Sequence, residues 1–189
     1  MDKKEILRYL RTNSGVKDEM LLKLIDDTME TVERAANPKS IYRIFDCTVT
    51  EDALIIDTIE FKSKRLAENL RGCRQVAILA ATAGTECDRL LRASSFESAR
   101  LAVMQAVLAA KVEELCDALQ NSIEAEHGVK TRSRFSPGYY DLDISEQGKL
   151  FSLLEITKRC GITLTDSFQM IPTKSVTAFA GIDYEDSIF

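Results

Sequence analysis

The run Val76-Ala77-Ile78-Leu79-Ala80-Ala81 constrains this chain more than any other stretch. A near-continuous apolar run of that length is the pattern of a strand buried on both faces, so other elements have to cover it above and below. Thr82-Ala83-Gly84-Thr85 then leads into a helix over Cys87 to Arg92. A long helix is predicted to follow from Glu97 to about Glu126, with Leu101, Met104, Leu108, Leu115, Leu119 and Ile123 as its core stripe. Ala102, Ala106, Ala109 and Ala110 allow another element to pack closely against it, and Gly128 is suited to its C-terminal cap.

Upstream, Asp2 to Leu10 reads as a short amphipathic helix and Thr12-Asn13-Ser14-Gly15 as a loop. A second helix from Lys17 to Ala36 carries Leu21, Ile25, Met29 and Val32 at helical spacing until Asn37-Pro38 stops it. Ile41 to Val49 and Ala53 to Phe61 predict a hairpin around Thr50-Glu51-Asp52, and Ser63 to Leu70 a one-face helix ending at Gly72. Downstream, Asp143-Ile144-Ser145-Glu146 starts a helix that runs to Cys160, with Gly161 as its stop. Ile162 to Met170 and Ser175 to Ile182 are then the two strands that close the sheet. This order predicts an α+β fold in a single domain over residues 1–189, with an N-terminal helical segment (1–36) and a core from 40 to 189. The expected sheet is twisted, antiparallel or mixed, and packed with helices.

Composition removes several functions. With 189 residues, 45% of them hydrophobic, the chain is long enough for one sizeable core. A formal charge of -5 argues against a nucleic-acid partner, which needs a concentrated basic face. Cys47, Cys73, Cys87, Cys116 and Cys160 are odd in number, scattered and without a C-x-x-C, which suggests reduced thiols and neither a disulfide framework nor a zinc site. No signal peptide and no membrane span is legible, so the expectation is a cytoplasmic protein. His127, the only histidine, lies near the end of the long helix, where no nucleophile motif accompanies it. The Ala80 to Glu86 loop has one glycine and is neither a P-loop nor a dinucleotide fingerprint.

Chemistry concentrates in Arg134-Phe135-Ser136-Pro137-Gly138-Tyr139-Tyr140. Pro137 fixes its own φ and pushes Ser136 toward an extended conformation, while Gly138 can take φ > 0 or let a ligand approach the backbone. Beside a guanidinium fork and aromatic faces, such a backbone suits a flat polar ligand with a carboxylate. The plainer reading is a Pro-Gly turn before a helix, with Tyr139 and Tyr140 as half-buried packing residues.

Farther on come Leu153-Leu154-Glu155, Lys158-Arg159-Cys160-Gly161, Leu164-Thr165-Asp166-Ser167-Phe168-Gln169-Met170-Ile171-Pro172 and Lys174-Ser175-Val176-Thr177. With Arg134 to Tyr139 in front, this order resembles the activation (reactivation) domain of cobalamin-dependent methionine synthase. That family carries an R-x-x-P-G-Y run, a helix ending near K-R-x-G and an L-T-E-S-x-x-M-x-P-x-x-S-V-S segment. The match is good over the last third of the chain, and the first two thirds resemble the short, free-standing members.

The resemblance implies a reactivation subunit that binds S-adenosylmethionine for reductive methylation of cob(II)alamin carried by a partner corrinoid protein, with a flavodoxin-like electron donor. It implies that Arg134 pairs with the ligand carboxylate, that the backbones of Ser136 and Gly138 meet the adenine edge, that Tyr139 packs on the ligand, and that Asp117 is the acidic contact from the long helix. The chain departs from the fused family members at three places. It has no tryptophan and no D-W-x-P-F-F segment, and Tyr140-Asp141-Leu142-Asp143 replaces the proline-alanine-cysteine run. The late tyrosine contact aligns near Ile188, so that Tyr184 is its nearest stand-in. A non-catalytic module that docks on a corrinoid protein without the ligand is the rival expectation.

Overall fold

In the computed structural model, which describes residues 1–12 and 18–184, the apolar run lies within strand β5 (Gln75–Thr82), where every residue after Gln75 is buried. Preceding it are α1 (Lys3–Tyr9), α2 (Glu19–Ala35), β1 (Lys39–Asp46), β2 (Thr48–Val49), β3 (Ala53–Ile56), β4 (Ile59–Lys62) and α3 (Lys64–Asn69). After it come α4 (Thr85–Ala93), α5 (Ser98–His127), β6 (Val129–Thr131), α6 (Gln147–Leu154), α7 (Ile156–Cys160), β7 (Thr163–Leu164), β8 (Met170–Ile171) and β9 (Ser175–Tyr184). The main sheet is antiparallel in the order β1-β5-β9-β6, so β5 and β9 are its centre.

Period-two alternation sorts the two central strands between two cores. Ile78, Ala80 and Phe179 face α6 and α7 with Phe61, Leu150 and Ile156. Ala77, Leu79, Ala81, Ala178 and Ala180 face the opposite way, with Cys116 and Ile123 of α5. The first half of α5 is itself covered by α1 and α2, through Ile6, Ile25 and Val32 against Val103, Val107 and Ala110. That second covering explains why burial on α5 exceeds the single predicted stripe. Gly128 caps it in the left-handed region (φ 63°), its N–H bonded to the Glu124 carbonyl, as its sequence position predicts.

Three expectations are corrected in detail. The predicted hairpin does form at Thr50–Asp52, but between β2 and β3, while β1 pairs with β5. The helix predicted to Cys160 breaks at Glu155, which takes φ 50°, into α6 and α7. Ile162 to Met170 is not a strand of the main sheet. Thr165-Asp166-Ser167 is turn chemistry, and there the Thr165 hydroxyl accepts from the Gln169 N–H (3.0 Å), which folds β7 and β8 into a two-stranded ribbon. Asn13 to Gly15 of the predicted loop and Lys17 of the predicted helix lie outside the described residues. No helix among the described residues is long and apolar enough to cross a membrane.

Candidate functional site

Strand β9 is ten residues long, and β6 covers only its end, at Ile182 to Tyr184. One further bridge joins Phe135 to Phe179. Among the described residues, Ser175 to Thr177 therefore have a strand neighbour on the β5 side alone. At this open edge lies a cavity of about 670 Å³, lined by Ser175 to Thr177, the 133–140 loop, α5, α6 and the β8 region. That is a volume suited to a small molecule.

The α5 end is charged. Glu113, Asp117 and Gln120 sit three to four residues apart, so they share one face of the helix. Arg134 reaches all three: Nη2 to Glu113 Oε2 at 2.6 Å, Nη1 to Asp117 Oδ1 at 2.8 Å, and Nη1 to Gln120 Oε1. Gln120 is held for this by its own Nε2, which donates to Thr131 Oγ1 (2.8 Å) and the Arg132 carbonyl (3.1 Å). Burial of the guanidinium opposes its charge, but Asp117 and Glu113 outweigh that and raise its pKa above the usual arginine value. Burial pushes the adjacent Cys116 thiol up to about 12, so it stays neutral.

The α6 end is neutral. Gln147, which opens α6, and Thr177 of β9 are almost wholly buried and both line the cavity. Thr177 Oγ1 donates to Gln147 Oε1 at 2.9 Å, and Gln147 Nε2 donates to the Phe168 carbonyl at 2.7 Å. The approach to Ser175 is fixed by Asp88 of α4, whose buried carboxylate accepts both the N–H (3.0 Å) and the hydroxyl (2.7 Å) of Thr173.

The 136–142 loop is a compact turn. The Gly138 N–H donates to the Leu142 carbonyl (2.8 Å), and Tyr139 N–H to the Ser136 carbonyl (3.3 Å). Gly138 takes φ 88°, and a Cβ there would lie 3.0 Å from Ile144 Cδ1. It does not line the cavity, whereas Ser136, Pro137 and Tyr139 do. Tyr139 and Tyr140 are exposed at its mouth rather than half-buried, with Tyr140 stacked on Phe135 at 5.8 Å. Tyr140 to Asp143, where the chain departs from the family pattern, is structural: Asp141 caps α3 through Ser63 Oγ (2.6 Å) and the Lys64 N–H (2.7 Å), and Asp143 takes the Ser145 N–H (2.8 Å).

Of the residues singled out from sequence, the fold thus gathers Arg134, Asp117, Ser136 and Tyr139 and leaves Gly138 just behind the wall. Tyr184 lies outside the cavity lining, at the far end of β9, where its hydroxyl bonds Gln75. His127 meets the Tyr42 hydroxyl (3.0 Å). Sequence reasoning missed Glu113, Gln120, Gln147 and Thr177. The helical spacing of Glu113 and Gln120 around Asp117 could have revealed the first two. Nothing local marks the Gln147–Thr177 pair.

These features define an α+β protein with a candidate small-ligand cavity at a sheet edge. The family model described as the activation domain of vitamin B12 dependent methionine synthase matches residues 82–189, more than half of the chain, and the chain belongs to that family. Among solved structures it is similar to the MetH reactivation domain bound to AdoHcy, at 20% identity and a TM-score of 0.68, covering 96% of this chain and 70% of that one. No curated protein sequence matches significantly.

Proposed function

We propose that this cavity binds S-adenosylmethionine and that the chain is the reactivation component of a cobalamin-dependent methionine synthase or a related corrinoid methyltransferase. The observation that carries the reading is the convergence of Arg134, Glu113 and Asp117 at one end of the cavity. Two carboxylates facing one guanidinium leave one negative charge in excess. A ligand with a carboxylate, an ammonium and a sulfonium carries the matching single positive charge. Arg134 would take the carboxylate through its planar fork, and the acids would face the cations. Ser136 would meet the adenine through its backbone, Tyr139 would close over the ligand, and Gly138 would shape the turn behind it.

Cobalamin, held by a separate corrinoid protein in the cytoplasm, supplies the methyl-transfer chemistry, and a flavodoxin-like protein supplies the electron. This chain's own residues bind and orient the methyl donor. Isothermal titration with S-adenosylmethionine tests the reading. Micromolar binding is expected, and Arg134→Ala should weaken it by about 1.5–3 kcal/mol, the range for a hydrogen bond to a charged group. Arg134→Lys should recover only part of that loss. With S-adenosylmethionine as methyl donor, a cognate corrinoid protein and a one-electron reductant, the chain should speed replacement of the cob(II)alamin absorption band by that of methylcobalamin. No binding up to millimolar ligand would favour the docking module instead.

A further inference from the structure

We infer that Gln147 and Thr177 add side-chain readout of the purine's amine and ring nitrogen to the backbone contact from Ser136, across the sheet edge from the Arg134 cluster. The inference rests on the reading of the cavity as an S-adenosylmethionine site. Gln147 is 2% exposed and Thr177 1%. The carboxamide is not free to turn over, because its oxygen would then face the Phe168 carbonyl that Nε2 now donates to. An amide nitrogen carries two hydrogens, and among the described residues Gln147 Nε2 gives only one of them to a partner. Its second hydrogen is available to a ligand in the cavity that Gln147 lines. Beside it, Thr177 Oγ1 has spent its hydrogen on Gln147 Oε1 and keeps its lone pairs as acceptors.

The result is a donor next to an acceptor, both fixed and both in the cavity wall. That pairing complements the ring nitrogen and exocyclic amine of adenine, the edge that side-chain amides recognise in nucleic acids. Pro137, Ile144 and Met170 supply apolar wall from neighbouring elements for the faces of a flat ring. Alternation along β9 puts Thr177 on the α6 side with Phe179 and sends Val176 the other way, into the α5-side clusters. A ligand touching both the Arg134 cluster and Gln147 therefore has to cross the open edge at Ser175 to Thr177. An amino acid joined through a linker to a base has that form.

The test is titration with S-adenosylmethionine and with its analogue lacking the purine amino group, using the whole chain, Gln147→Met and Thr177→Val. The unaltered chain should prefer the amino purine by about tenfold, the discrimination of one good edge contact. That preference should collapse in both variants, while their residual affinity for the two ligands becomes equal. Thermal unfolding shows which variants are folded; if Gln147→Met is not, the preference of the unaltered chain and of the near-isosteric Thr177→Val decides. A preference that survives in the folded variants, or that the unaltered chain never shows, overturns the inference. If the unaltered chain binds neither ligand, the reading of the cavity itself has failed.

Discussion

At the α5 end of the cavity, Arg134 stands among Glu113, Asp117 and Gln120, with Asp117 two-thirds exposed. At the α6 end, Gln147 and Thr177 carry no charge and have almost no exposure. The first arrangement can be remade when a ligand arrives, because water and other side chains can take over each partner. The second cannot, because a buried amide or hydroxyl that loses its partner finds no other. Charge at an accessible end attracts and orients the ligand, and buried hydrogen bonds fix a template that selects its shape. The largest expected effect separates the two ends by stability alone. Gln147→Leu orphans the Phe168 carbonyl and the Thr177 hydroxyl and should cost about 1–3 kcal/mol of folding free energy. Arg134→Ala leaves behind Glu113 and Asp117, exposed enough for water to replace the lost partner, and should cost about 1 kcal/mol. Urea denaturation of both variants measures the difference, and equal losses would erase the distinction.

A smaller effect sharpens the same comparison through ionic strength. Salt screens accessible charges and leaves buried neutral hydrogen bonds almost untouched. Affinity of the unaltered chain for S-adenosylmethionine should fall severalfold, roughly, between low and high salt. In Arg134→Gln, which leaves two uncompensated carboxylates facing a ligand of net charge +1, the remaining affinity should depend more steeply on salt. An identical salt slope in the two proteins would mean that Arg134 does not face the ligand.

The sequence revealed the two ends unequally for the same physical reason. Arg134 could be singled out because a charged residue beside a Pro-Gly turn is conspicuous, whereas Asp117 was reached through the family resemblance. Glu113 and Gln120 follow from them by helical periodicity. Thr177 and Gln147 are 30 residues apart, brought together by the packing of α6 on β9. Such a contact depends on strand order, which alternation does not encode. The same limit explains the strands. Val76–Ala81 was recognisable as a buried strand, but its pairing with β1 on one side and β9 on the other is a long-range choice. The local competition at Thr165–Ser167 likewise outweighed the extended pattern of Ile162–Met170, and the ribbon that resulted holds the Phe168 carbonyl against Gln147.

The smallest expected effect concerns the loop that joins the two ends. Asp141 anchors it to α3, accepting from Ser63 Oγ and from the backbone N–H groups of Lys64 and Arg65. The Ser63 hydrogen bond and the two backbone donors hold the Asp141 carboxyl below its ordinary pKa. A carboxyl whose pKa is lower folded than unfolded stabilises the fold above its unfolded value, about 3.9, and that contribution is lost as pH falls through the folded pKa. Asp141→Asn should therefore lower the melting temperature slightly at pH 7. The gap between variant and unaltered chain should narrow as pH drops below about 4. Because Tyr139 and Tyr140 ride on this loop, the variant should also loosen the mouth of the cavity, with faster backbone hydrogen exchange at Gly138 and Leu142. A gap that stays constant from pH 7 to pH 3 would show that the Asp141 charge contributes nothing to holding the loop, and that the Gly138–Leu142 turn orders it without help from α3.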